Sequence, residues 1–159
     1  MGTDIKIIAE IKINEKWAML SGNETFIDVP RCYAFFAILA DRRNGPNTNY
    51  KEKFNSIVPE SRGLPADISD ETKKYIDDWW GSEYISDWDN STFSWVTLGE
   101  LVDYDYSQKI FTSEGNAETY EEAAGGIIKL IKKNITSQIK YIDFEGNKKT
   151  DIRLIFWFD

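Results

Sequence analysis

Two arginines stand side by side in the stretch "DRRNGPN", residues 41–47, of a chain whose 19 basic and 27 acidic residues leave a net charge of −8. Arg42, Arg43, Asn44 and Gly45 are the first candidate for chemistry. Guanidinium groups offer planar, bidentate donors that suit phosphate, and an Asn-Gly turn can present backbone N–H groups beside them. The plainer alternative is a solvated cap at a helix end, where the helix dipole favours cations. "PESRGLP" at 59–65 is the second candidate. Its prolines stiffen a loop, Gly63 allows close backbone approach and Arg62 can supply a second anion contact; a charged surface loop explains it equally well. The third is the ring-rich stretch containing Trp79, Trp80, Tyr84, Trp88, Phe93 and Trp95. Such rings can stack a nucleobase, with Trp95 or Trp88 the preferred face, or they can pin a loop as a satellite core.

What is absent narrows the chemistry further. The chain has no histidine, which excludes Ser-His-Asp and Cys-His catalysis and histidine-bound zinc. Cys32 is its single cysteine, so no intramolecular disulfide can form. The carboxylate pairs Asp77-Asp78, Asp87/Asp89 and Asp103/Asp105 are of the type a metal-dependent hydrolase needs, but spacing alone does not make them converge. No phosphate-loop, dinucleotide-fold, HExxH or EF-hand pattern is present. No catalytic residue, metal ligand or cofactor is therefore assigned. An acidic chain is repelled by nucleic-acid backbones and anionic membranes, so neither is expected as a partner. The N-terminal residues do not read as a signal peptide, and no stretch reaches the ~18 apolar residues of a membrane span, so a cytoplasmic setting is expected.

The elements that must position these residues follow from periodicity. Residues 4–13 alternate, with Ile5, Ile7, Ala9, Ile11 and Ile13 on one face, and predict a strand with one wet face. "NEK" at 14–16 turns it into a second strand at 17–20. Helices are predicted at 31–41, at 69–80 with Ser69 as N-cap, at 97–104 with a Thr97/Glu100 capping box, and at 117–134 with a weak point at Gly125-Gly126. Residues 42–68, 82–96 and 105–117 read as loops, the first two long enough to be functional. Segments 137–144 and 151–158 read as a hairpin, its last strand apolar enough to lie centrally with both faces covered. The sum is one α+β domain over residues 1–159: an antiparallel sheet from N- and C-terminal hairpins with three or four packed helices.

The pieces "MGTDI", "YAFFAILADRRNG", "RGLP", "FSWVTLGEL" and "IRLIFWFD" together resemble a family of small uncharacterised phage and bacterial proteins. In that family histidines often follow "MGTDI" and precede "SW"; here Lys6 and Phe93 stand there. The recurring pieces fall on Asp4, Arg42, Arg43, Asn44, Gly45, Arg62, Gly63, Ser94 and Trp95. Asp4 could orient an arginine or accept from a ribose hydroxyl. By analogy with small acidic proteins carried by phages, the resemblance implies an anti-defence role in the host cytoplasm. The expected function is binding and sequestration of a small anionic nucleotide signal, a cyclic nucleotide or ADP-ribose derivative, without cleavage. The alternatives are a metal-dependent phosphodiesterase acting on such a signal and a protein–protein inhibitor of a defence effector. Homo-oligomerisation is left open.

Overall fold

The computed structural model describes residues 2–20, 26–45, 49–80, 92–138 and 151–159. Its centre is the strand Ile152–Phe158, the last in the chain. With only one charged residue in seven it has no face suited to water, and it lies between the first strand, β1 (Ile5–Ile13), and β3 (Phe93–Thr97), antiparallel to both. β2 (Lys16–Met19) closes the other edge, so the four-stranded sheet runs β2-β1-β6-β3, with β6 the Ile152–Phe158 strand. Asn14 and Glu15, both at positive φ (51° and 66°), make the two-residue turn between β1 and β2, the geometry whose twist suits a hairpin.

Helices cover both faces of the sheet. Towards one point Ile5, Ile7, Ala9 and Ile11 of β1 and Leu154 and Phe156 of β6, packed against α1 (Tyr33–Ala40), α3 (Leu98–Asp103) and α5 (Ile127–Gln138). Towards the other point Ile8, Phe93 and Trp157, covered by Ile76 of α2 (Asp70–Trp80). β1 therefore has no wet face: Ile8 and Glu10 are as buried as Ile7. The period-two pattern missed this because Glu10 is neutralised in place. Arg153, its partner across the sheet, donates to Glu10 Oε1 at 2.8 Å, and the Ser69 amide and Thr72 hydroxyl donate to Oε2 at 3.0 and 2.7 Å. A buried carboxylate so completely satisfied is tolerated in a core. It also anchors the start of α2, whose Ser69 Oγ caps the Thr72 amide as expected.

Four predicted segments resolve differently. Residues 93–96, expected to lie in a loop, form edge strand β3 (Phe93–Thr97) with Thr97, the expected helix cap. Within 105–117, also expected to be a loop, Lys109–Phe111 forms β4, which pairs with β5 (Ala117–Thr119) in a second small sheet. The long helix expected over 117–134 begins instead with β5, continues as the single turn α4 (Tyr120–Ala123), capped by a Thr119/Glu122 box, and breaks at Gly125 and Gly126 before α5. Both glycines adopt left-handed φ, 63° and 77°, which no continuous helix contains. α5 runs on through residue 138, so the start of the strand expected at 137–144 is helical; the rest of it lies outside the described residues, as does 81–91. The fold is mixed α+β as expected, with five helices among the described residues. None of these helices is long and apolar enough to cross a membrane.

Candidate ligand-binding cleft

α1 sets the geometry of the arginine turn. It is shorter than the sequence suggested because Cys32 is extended (φ −146°, ψ 102°) and serves as its N-cap. At the other end Asp41, at φ 57°, turns the chain out of the helix in the left-handed conformation common at helix C-termini. Arg42 and Arg43 thus lie beyond the helix. Arg43 is itself left-handed at φ 58°, an uncommon state for a long side chain, so the two neighbours diverge. The Arg42 guanidinium lies 5.0 Å over the Phe158 ring, beside a crevice of about 10 Å³ that has room for one water. The Arg43 guanidinium lies 5.3 Å over Tyr33 and donates to Thr3 Oγ1 from Nε and Nη2 at 3.1 and 2.8 Å. The arginines are not one clamp; each borders a different cavity.

Arg43, Asn44 and Gly45 border the large one, a cleft of about 580 Å³ between the start of α1 and the chain around Tyr50 and Phe54. Asn44 holds this wall together. Its Nδ2 donates to the Phe54 carbonyl at 2.8 Å and to Asp41 Oδ1 at 2.7 Å, while its Oδ1 accepts from the Phe54 amide at 2.8 Å. The side chain thus mimics one rung of a sheet, and it is used within the protein. Gly45 also lines the cleft, and among the described residues a Cβ there would meet nothing within 4 Å. Tyr33, Tyr50 and Phe54 supply rings, and Glu52 supplies a carboxylate. Burial, aided by the nearby Glu118 carboxylate, pushes the Tyr50 phenol up to about 12. It stays protonated at neutral pH, a hydrogen-bonding group and not a base.

The second candidate loop meets the third candidate motif, and they satisfy each other. The Arg62 amide donates to Ser94 Oγ at 3.1 Å, and the Gly63 amide, in a left-handed turn (φ 73°), donates to the Phe93 carbonyl at 2.9 Å. The Arg62 guanidinium covers the Trp95 ring at 4.8 Å and grips Glu100 with two bonds of 2.8 and 2.7 Å. Hydrogen bonds from Arg62 above all, then from the Thr97 amide, hold the Glu100 carboxyl down at about 2. Arg62, Gly63, Ser94 and Trp95 therefore form a clasp on the sheet edge, away from the cleft. The Trp95 face expected to stack a base carries Arg62 instead. Asp4 is likewise engaged. Arg31 donates to its two oxygens at 2.8 and 2.9 Å and keeps its carboxyl below the usual carboxylate range.

The chain matches no protein-family model, no curated protein and no solved structure.

Among the remaining candidates, Trp80 and Phe93 pack with Trp157 in the core on the α2 side, while Trp79 is half exposed at the edge of that cluster. Tyr84, Trp88, Asp87 and Asp89 lie outside the described residues. No group of three or more Cys, Asp or Glu among the described residues is placed to hold a metal ion. The sequence reading missed Tyr33, Tyr50, Glu52 and Phe54. Tyr33 lay inside the helix predicted at 31–41, and the other three sat in the loop predicted at 42–68, with no periodicity to say which way they face.

Proposed function

We propose that the protein binds a small anionic nucleotide in this cleft and retains it unchanged. One observation carries the reading: a cleft of about 580 Å³, within the size range of small-molecule sites, bordered by Arg43 and three aromatic residues. A nucleotide asks for that combination, a guanidinium for phosphate and ring faces for the base. Thr3 Oγ1, a neutral acceptor, is one of the partners of Arg43, and a phosphate oxygen is a stronger acceptor than a hydroxyl. The start of α1 borders the same space through Cys32, Tyr33 and Ala34, so the positive end of its dipole adds to the field of Arg43. Sequestering a signal from a defence system is the physiological form that the family resemblance suggests.

Native mass spectrometry against a nucleotide panel tests this, followed by denaturation and weighing of the released ligand. The expected result is a complex whose ligand leaves with unchanged mass. Arg43→Glu should weaken it roughly tenfold to a hundredfold, the loss of one charge-assisted contact, whereas Arg42→Glu, bordering the other cavity, leaves affinity within about twofold. A ligand released in cleaved form, or equal losses from the two substitutions, would overturn the proposal.

A further inference from the structure

We infer that the Thr3 hydroxyl is a built-in competitor for the ligand's phosphate: it holds the gripping edge of Arg43 and yields that edge on binding; this rests on the reading of the cleft as a nucleotide site. A guanidinium grips two oxygens of one carboxylate or phosphate through a pair of N–H groups that lie side by side. Arg31 shows that grip in this protein: its Nε and Nη2 donate to the two oxygens of Asp4 at 2.8 and 2.9 Å. Arg43 commits the same pair of nitrogens, but both converge on one oxygen, Thr3 Oγ1, at 3.1 and 2.8 Å. That oxygen is uncharged, and its two lone pairs are both spent on Arg43. A phosphate offers the same two donors two oxygens and a negative charge, so it is the stronger acceptor of the two. Arg43 has other contacts in the protein, and the exchange concerns this edge alone. A carboxylate in place of the hydroxyl would close Arg43 as Asp4 closes Arg31; threonine leaves the pairing reversible.

The surroundings of Thr3 tether the competitor in place. Its amide donates to the Tyr33 hydroxyl at 3.2 Å, and Tyr33 both lines the cleft and lies under the Arg43 guanidinium. The next residue, Asp4, is held by Arg31 and exchanges main-chain bonds with Asp159, amide to carbonyl in each direction, at 3.1 and 3.0 Å. The main chain at Thr3 is therefore fixed beside Tyr33 and Arg43, and the exchange needs only a turn of the Thr3 side chain about χ1. A group tethered this closely competes at an effective concentration on the order of millimolar or above. The ligand binds the fraction of molecules in which this edge of Arg43 has let go of Thr3, and its apparent affinity is reduced by that fraction. Removing the hydroxyl removes the handicap, so affinity rises.

Isothermal titration calorimetry of the full chain tests this, with AMP, 3′,5′-cyclic AMP, ADP-ribose and cyclic di-AMP as titrants. Thr3→Val keeps the branched shape and removes the hydroxyl. Every titrant that binds should bind this variant about threefold to tenfold more tightly than the native protein, and binding that emerges only in the variant is the same result in its strongest form. Thr3→Ser, which keeps the hydroxyl, should stay within about twofold of native. On an Arg43→Gln background Thr3→Val should confer no gain, since the two residues act through one contact. The direction separates competition from damage, because a loosened site loses affinity. A Thr3→Val protein that binds no more tightly than native, or that keeps its gain on the Arg43→Gln background, would overturn this inference and leave the nucleotide-binding proposal standing. Failure of every titrant with native protein and Thr3→Val alike would overturn both.

Discussion

Asn44 offers a sharp separation between a ligand contact and a structural clasp. Its side chain is 8% exposed and makes three hydrogen bonds, two of them to the amide and carbonyl of Phe54, a residue that is itself buried. Asn44→Ala leaves both Phe54 groups without that partner. A buried polar group deprived of its bond costs about 1–3 kcal/mol. The cleft beside Asn44 lets water recover part of this. The expected loss is therefore about 2–4 kcal/mol, read as a shift of the urea midpoint with an unchanged slope. Asn44→Asp is the more searching variant. It keeps the acceptor for the Phe54 amide but removes both donations, and it sets a carboxylate against the Phe54 carbonyl and Asp41. At pH 7 it should destabilise at least as much as alanine. A carboxyl surrounded by acceptors has its folded pKa raised, so the stability it contributes is present in the protonated form and is lost as pH rises through that value. The deficit of this variant should thus shrink as pH falls towards ~4. If Asn44→Ala shifts stability by less than about 0.5 kcal/mol while nucleotide affinity collapses, Asn44 is a ligand contact and the clasp argument is wrong.

Three further outcomes are expected. Glu100→Gln keeps the Thr97 capping box and removes the ion pair with Arg62; at 31% and 36% exposure the pair is screened, so a loss of about 1 kcal/mol is expected at pH 7. Because Glu100 is held down at about 2 in the folded state, its contribution is present above the unfolded value of 4.5 and fades as pH falls towards 2, which paired urea titrations of native and variant protein would reveal; a gap that persists at pH 2 would refute it. Glu10→Ala strips the buried Arg153 of one of its two carboxylates and frees the start of α2. It should cost about 3–5 kcal/mol and change the fluorescence of Trp17, which lies 3.9 Å from the Arg153 guanidinium; a thermal midpoint within error of the native one would be incompatible with the network. Gly125→Ala should cost about 1 kcal/mol by thermal denaturation from its φ of 63°, since among the described residues a Cβ there meets nothing within 4 Å; a loss beyond about 3 kcal/mol would mean a steric clash instead.

Local signals were legible in the sequence. The Thr97/Glu100 box, the Ser69 cap and the apolar run of the last strand each depend on interactions between near neighbours or on a residue's own hydropathy, and stand where they were expected, while the turn expected over 14–16 is one residue shorter, at Asn14-Glu15. The Gly125-Gly126 pair was visible as a weakness, but its consequence was not. Whether two glycines merely soften a helix or turn left-handed and end it depends on what the flanking segments pack against. Residues 93–96 read as loop because their strand character comes from pairing with β6, about 60 residues further along the chain.

For the site, residue types pointed to the arginine turn and to the motifs around Arg62 and Trp95, while contacts distant in sequence divided their roles. Arg62 meets Glu100 and Trp95 across more than 30 residues, and Asp4 meets Arg31 across 27. Arg42 and Arg43 are neighbours that the left-handed turn after α1 sends to different cavities. The sequence by itself determined which side chains can bind an anion, since donor geometry and charge belong to the residue. Which guanidinium borders open space, and which is held by a carboxylate of the same chain, only the tertiary structure decided, because an ion pair is a matter of distance and folding sets distances between residues far apart in sequence.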